Sequence, residues 1–237
     1  MTQVEIKDNI ERLYAQIHEA EQKSGRQADC VKLCAVSKFH PLDDVFAAMA
    51  AGQHLFGENR VQEAYDKFSV LRQEGKQAEL HIIGALQRNK VKKAVEIASC
   101  IQSVDRQEIL AEIEKHCDKL DKKIAVFFEL HTGEDSKTGY ADEASLRQAV
   151  SDCAEGLYPH IVPCGLMTMA PFTKDEVLIH QSFERLRKCK EKLNEEFPAL
   201  PLTELSMGMS GDFTIAIEEG STMVRVGTAI FGERVYP

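Results

Sequence analysis

The chain begins its regular pattern with the stretch Lys32-Leu33-Cys34-Ala35-Val36-Ser37-Lys38. The apolar and small residues between the two lysines predict a short buried strand. Pro41 is then well placed to open a helix, and Gly52 is well placed to end it. The stretch therefore predicts a strand followed directly by a helix, and the rest of the sequence repeats this unit.

Eight predicted strands alternate with helical segments along the chain. They cover residues 32–37, 55–59, 80–84, 101–104, 124–130, 161–169, 202–207 and 222–226. Ile6, Ile10, Leu13 and Ile17 lie on one face of a further helix, which precedes the first strand. Strands that alternate with helices form parallel sheets, and eight of them in 237 residues favour a closed barrel.

We therefore predict an α/β fold, a single (β/α)8 TIM-like barrel with an extra N-terminal helix, as one domain over residues 1–237. A doubly wound open sheet is the competing architecture. It usually has fewer strands at this length, and the dinucleotide-site pattern G-x-G-x-x-G is missing after the first strand. Two smaller domains would also fit the length, but no linker rich in Pro, Gly or Ser separates two parts.

The composition argues against several classes of partner. A formal net charge of −9 disfavours binding to nucleic acids or to a membrane surface, because both need concentrated lysine and arginine. The longest basic segment, residues 87–93, is either a solvated helix face or an anion or partner site. No apolar run approaches the roughly 18 residues of a membrane span. The seven cysteines include no C-x-x-C pair, so we expect reduced thiols, no metal site and a cytoplasmic location.

The first candidate functional residue is Lys38. In barrels of this kind the functional residues lie at the carboxyl ends of the strands, and Lys38 ends the first one. Partial burial and neighbouring cations would lower the pKa of its ammonium group and make it an amine nucleophile towards a carbonyl. A strand-end lysine that simply reaches water is the alternative, and position alone does not decide between the two.

Two segments near the end of the chain predict a phosphate site. Residues 206–212 are mostly small, include the hydroxyl of Ser210, and come just before a helix. Arg225, Gly227 and Thr228 lie on or after the last strand. Barrels often bind phosphate with the loops after strands seven and eight, although either segment alone could be an ordinary turn. A phosphorylated aldehyde cofactor would join this site to Lys38 across the barrel closure.

The motifs of the chain, taken in order, resemble those of the YggS/PROSC family of pyridoxal 5′-phosphate (PLP) homeostasis proteins. The resemblance runs from about residue 4 to the C-terminus. It rests on Ala35-Val36-Ser37-Lys38, Phe56-Gly57-Glu58-Asn59, the segment 81–90, Ser136-Lys137-Thr138-Gly139, Gly165-Leu166-Met167 and the segment 206–232. The fold of this family resembles the N-terminal barrel of alanine racemase and the barrel of fold-type III PLP decarboxylases.

The resemblance implies a role for each matching residue. Lys38 matches the lysine that holds PLP as a Schiff base. Ser210, Gly227 and Thr228 match the residues that bind the phosphate, and Arg225 matches the arginine that faces the pyridine nitrogen. Asn59 matches a residue near the cofactor ring, and Met207 is expected on the same wall. The chain departs from the family at Leu80, where an aromatic residue is usual, and at the end of strand five, where Phe128-Glu129-Leu130-His131 stands in place of a Gln-x-Asn pattern.

The expected function is to hold PLP for vitamin B6 homeostasis without efficient catalysis. A protonated guanidinium at Arg225 can only donate to the ring nitrogen, which leaves the ring a weak electron sink. Racemases of this fold also take a catalytic tyrosine from a second, β-rich domain, and we expect no such domain here. The alternatives are a PLP-dependent amino-acid racemase or lyase, and a metal- or phosphosugar-dependent barrel enzyme. The expected partners are PLP, PLP-dependent apoenzymes and free amino acids.

Overall fold

The computed structural model describes residues 1–133 and 138–233. Eight parallel strands form a closed barrel in which each strand pairs with the next and the eighth pairs with the first. The strands are β1 Lys32–Val36, β2 Leu55–Glu58, β3 Glu79–Ile82, β4 Cys100–Val104, β5 Ile124–Glu129, β6 Ile161–Met167, β7 Glu204–Ser206 and β8 Met223–Val226. All eight predicted strands are present, with bounds that differ by at most two residues, so the predicted barrel is confirmed.

Helices follow the strands and surround the barrel. They are α1 Gln3–Lys23, α2 Leu42–Ala50, α3 Val61–Gln73, α4 Val91–Ile97, α5 Gln107–Leu120, α6 Glu143–Ala154, α7 Glu176–Glu196, α8 Phe213–Glu218 and α9 Thr228–Phe231. A short 3-10 helix, Arg88–Lys90, precedes α4. Among the described residues, no helix is long and apolar enough to cross a membrane.

The extra N-terminal helix α1 is the predicted one. Its Ile6, Ile10, Leu13 and Ile17 side chains are buried, as the four-three-four spacing requires. A capping box between Thr2 and Glu5 satisfies the first backbone N–H groups of the helix. The buried face packs against α2, α8 and α9, so that α1 covers the seam where the last strand meets the first.

The core has two layers because successive residues of a strand point to opposite faces. The outer layer, between strands and helices, contains most of the buried apolar side chains. The barrel interior holds a smaller apolar cluster, which is formed by Cys34, Cys100, Phe127, Met167 and Met223. Side chains of the inner layer that lie nearest the carboxyl ends of the strands therefore form the floor of the barrel mouth.

Candidate functional site

A cavity of about 350 Å³ opens at the carboxyl end of the barrel. Its volume falls within the range of about 300–1,000 Å³ that is usual for small-molecule sites. Six of the seven residues that were predicted for the site line it, namely Lys38, Asn59, Ser210, Arg225, Gly227 and Thr228. The barrel therefore brings together predicted residues that lie as far apart in the sequence as Lys38 and Thr228.

Lys38 enters the cavity from the end of β1. Val36 and Lys38 both line the cavity, whereas Ser37 between them is buried on the other face of the strand. This alternation is the ordinary one for extended backbone, continued two residues past the strand. The Lys38 side chain is half-buried, as the sequence analysis expected for a lysine at a barrel mouth.

The phosphate-binding residues that we predicted lie together on one wall. Ser210 comes from the loop between β7 and α8, and Thr228 is the first residue of α9. A Cβ atom on Gly227 would lie 2.9 Å from the backbone oxygen of Val36, so only glycine lets the end of β8 pass this close to β1. Asp212 accepts a hydrogen bond from the backbone N–H of Met209 at 2.5 Å and holds the loop that carries Ser210.

Arg225 reaches the cavity from inside the barrel, where it is almost fully buried. Its Nη1 donates to the backbone oxygen of Ser206 at 2.6 Å and to Ser206 Oγ at 2.7 Å. Its Nη2 donates to the backbone oxygen of Thr168 at 2.8 Å. Burial lowers the pKa of Arg225, but a guanidinium remains a pure donor in proteins. Arg225 therefore presents a fixed cation to the floor of the cavity.

A chain of buried hydrogen bonds continues from Arg225 through the barrel. Ser206 Oγ donates to Gln102 Oε1 at 2.6 Å, and Gln102 Nε2 lies 2.6 Å from His81 Nδ1. His81 Nε2 lies 2.9 Å from Glu79 Oε1 at the opposite end of the barrel. If Gln102 Nε2 donates to Nδ1, His81 carries its proton on Nε2 and donates it to Glu79. The chain fixes the orientation of Ser206 and, through it, that of Arg225.

The remaining predicted residue, Met207, does not line the cavity, and that prediction needs correction. Its side chain is fully buried in the outer core layer between the barrel and the helices. The reason is strand alternation, since Ser206 points into the barrel and Met207 must point away from it. Met209, two residues further on, lines the cavity instead.

Several cavity residues were not predicted from the sequence. Glu129 is the last residue of β5 and is almost fully buried; its Oε1 accepts a hydrogen bond from Thr138 Oγ1 at 2.7 Å. His40 is buried too, with Nδ1 3.4 Å from Asp44 Oδ2, and burial lowers its pKa. His40 could have been predicted because it lies two residues after Lys38. Glu129 could have been predicted because it lies at the carboxyl end of strand five.

Of the residues at the two family departures, Leu80 and Leu130 lie away from the cavity, whereas Glu129 lines it. Leu80 and Leu130 are buried in the outer core layer, so both are packing positions. Tyr140 is buried against Phe128 and is not among the residues that line the cavity. Ser136 and Lys137 of the family motif lie outside the described residues. Within the described ranges, no group of His, Cys, Asp or Glu side chains is placed to hold a metal ion.

The chain matches the family model described as alanine racemase, N-terminal domain, over residues 9–235. It is 39% identical over 241 residues to a pyridoxal phosphate homeostasis protein from Pseudomonas aeruginosa, covering 98% of this chain and 96% of that protein. A pyridoxal phosphate homeostasis protein from Pasteurella multocida is 37% identical over 234 residues, which is 98% of each chain.

Solved structures show the same similarity. The structure of PipY from Synechococcus elongatus with PLP bound superposes with a TM-score of 0.85 at 34% identity, and covers 96% of this chain and 100% of that one. Alanine racemase from Clostridium difficile superposes with a TM-score of 0.74 at 16% identity, and covers 97% of this chain but 57% of the racemase. At that identity the racemase shares the fold alone.

Proposed function

The chain belongs to the alanine racemase N-terminal domain family and, within it, to the pyridoxal phosphate homeostasis proteins, and on this premise we propose that it is a single-domain PLP-binding protein of vitamin B6 homeostasis. The observation that carries the proposal is the arrangement of Lys38, Ser210, Arg225, Gly227 and Thr228 around one cavity. These groups offer an amine, hydroxyls, a glycine backbone and a fixed cation within a single ligand-sized space.

The residues present fit PLP. When bound, PLP supplies an aldehyde that reacts reversibly with a primary amine. Lys38 would hold the cofactor at this aldehyde through its neutral amine. Ser210 and Thr228 can donate hydroxyl hydrogen bonds to the phosphate, and Gly227 lines the same cavity beside Thr228. Arg225 and Asn59 would hold the ring.

The phosphate wall yields the first prediction. Thr228→Val and Ser210→Ala each remove one hydroxyl donor to a dianion, and such charge-assisted hydrogen bonds contribute roughly 1.5–3 kcal/mol. We expect the affinity for PLP to fall about ten-fold or more in each variant, as measured by fluorescence or absorbance titration. Thr214→Val, on the exposed face of α8, is the matched control and should bind like the parent. Parent-like binding by both site variants would mean that the phosphate lies elsewhere.

We also propose that the protein does not catalyse efficiently. Facing the pyridine nitrogen, Arg225 would keep a proton off it and so disfavour carbanion chemistry. A racemase also needs a base on each face of the substrate, and each such base contributes roughly 10²–10⁴-fold. Lys38 could serve one face, and within the described ranges no tyrosine is among the residues that line the cavity.

The second prediction follows from this. With a panel of D- and L-amino acids in deuterated water, we expect Cα exchange far below about 1 s⁻¹, the low end of ordinary enzymes. NMR provides the measurement. Faster exchange on any amino acid would overturn the carrier role and favour the racemase alternative. Variants of the other lining residues that could act as bases, His40→Ala and Glu129→Gln, would then identify the second base.

We further propose that free amino acids and PLP-dependent apoenzymes take up PLP from this site. The exposure of Ser210 and Thr228 at the rim supports a cofactor that can leave. Transfer to an apoenzyme no faster than release into buffer would argue against direct handover.

The seven cysteines are all free thiols, which supports a reducing compartment such as the cytoplasm.

A further inference from the structure

The turn that follows β1 has an unusual backbone conformation. Phe39, next to Lys38, has φ of 66°, in the left-handed region that favours glycine. A bulky aromatic residue adopts this conformation only when its surroundings impose it, and such residues cluster at functional sites. Contacts from outside the turn must therefore hold Phe39 in place.

Two charged residues of α3 supply these contacts. Glu63 Oε1 accepts a hydrogen bond from the backbone N–H of Phe39 at 2.6 Å. Lys67 Nζ donates to the same Glu63 oxygen at 2.7 Å and to the backbone oxygen of Ser37 at 2.7 Å. The pair thus anchors the residue before Lys38 and the residue after it.

A buried carboxylate completes the cluster. Glu58, at the end of β2, is fully buried, and its Oε1 accepts from Lys67 Nζ at 2.9 Å and from Ser37 Oγ at 2.7 Å. None of Glu58, Glu63 and Lys67 is among the residues lining the cavity. The cluster lies behind β1, on the face that Ser37 occupies. Glu63 and Lys67 contact the surroundings of Lys38 through the backbone of this turn, and Lys67 also bonds to Glu58, which precedes the cavity residue Asn59.

Buried ion pairs are rarely the most stabilising choice, because desolvation of the charges offsets much of their attraction. Here the buried charges converge on the backbone and side-chain groups that flank Lys38. We propose that Glu63 and Lys67 are positioning residues, which hold the turn of residues 37–40 in the conformation that directs the Lys38 amine into the cavity. This inference rests on the proposed function, since it assigns the covalent linkage to Lys38.

Two probes separate positioning from a purely structural role. PLP can link to Lys38, whereas pyridoxine 5′-phosphate, which has an alcohol in place of the aldehyde, can only bind non-covalently. Loss of the anchor should weaken PLP and spare pyridoxine 5′-phosphate, because the phosphate wall is untouched. Damage to the whole site would weaken both.

The experiment compares Glu63→Ala with Glu63→Gln, whose amide oxygen can still accept from the Phe39 N–H. We expect Glu63→Ala to lower the affinity for PLP relative to pyridoxine 5′-phosphate about ten-fold or more, and Glu63→Gln to restore most of the loss. Asp66→Ala removes an exposed carboxylate of the same helix, which accepts a hydrogen bond from Gln62, and should change neither affinity. Equal losses for both probes, or no loss, would overturn the inference.

A second pair of variants tests the turn if Glu63→Ala does not fold. Phe39→Asn tolerates the left-handed conformation and should keep the parental ratio of the two affinities. Phe39→Val is β-branched, disfavours positive φ and should lower the ratio. A parent protein in which borohydride traps no PLP on Lys38 would refute the proposed function itself. Trapping in the parent with identical ratios in all variants would refute only the positioning role.

Discussion

We expect Lys38→Ala to abolish the covalent attachment of PLP while the barrel stays folded. Among the described residues, Lys38 is the only lysine that lines the cavity, so no second amine can take its place there. The fold should survive because the side chain is half-buried at the mouth, and β1 keeps its backbone pairing with both β2 and β8. The measurement is the visible absorbance of the PLP-treated protein and its mass after borohydride reduction.

The matched control for this variant lies on the same strand. Lys32 is at the opposite end of β1, where it is 57% exposed and bonds to Glu204 Oε1 at 2.6 Å. Lys32→Ala should keep both the chromophore and the mass increase. A Lys38→Ala protein that still gains the reduced adduct would show that another lysine carries the cofactor.

Lys67→Met should destabilise the protein by about 3–5 kcal/mol at neutral pH, the typical cost of removing one partner of a buried ion pair. Lys67 is 11% exposed and lies 2.9 Å from the fully buried Glu58 carboxylate. Without Lys67, that carboxylate keeps only the hydroxyl of Ser37 as a partner for Oε1, and its Oε2 already has none among the described residues. Urea unfolding of parent and variant measures the difference.

The size of this loss should depend on pH. Burial raises the pKa of Glu58 above its ordinary value of 4.5, and the nearby Lys67 opposes the rise. Removing Lys67 raises that pKa further. A carboxyl whose folded pKa is raised favours folding fully below its unfolded pKa, and this contribution is lost as pH rises through the folded pKa. The deficit should therefore be small near pH 4.5 and largest at neutral pH and above.

Two further variants test the explanation. Glu58→Gln in the Lys67→Met background replaces the unpaired carboxylate by a neutral amide and should recover part of the lost stability. Lys92→Met breaks an exposed pair with Glu96 on α4 and should cost about 0.5 kcal/mol or less. A loss below about 1 kcal/mol for Lys67→Met, or one that does not change with pH, would contradict the assignment of a charged Glu58.

The alternation of strands and helices was predictable because the barrel strands are short and clearly bounded by glycines, prolines and polar residues. The site was largely predictable because the carboxyl-end rule restricts the choice to a few positions, and because Lys38, Gly227 and Thr228 also carry family motifs. Met207 was misplaced because every residue of the segment around it was expected to line the cavity. Side chains alternate between the two faces along β7, so neighbouring residues cannot all do so.

Other features could not be read from the sequence. The left-handed Phe39 has no local signature, since glycine or asparagine would be expected there. Its anchor, Glu63, is 24 residues away, and the polar chain from Arg225 to Glu79 crosses the barrel. Such contacts depend on how strands and helices meet in three dimensions, and no periodic pattern within one element records them.

The most direct test of the central claim is to treat the protein with PLP, reduce it with borohydride, digest it and locate the modified residue by mass spectrometry. We expect a single stable adduct on the peptide that contains Lys38. An adduct on Lys90 or Lys137 instead, or no adduct at all, would contradict it.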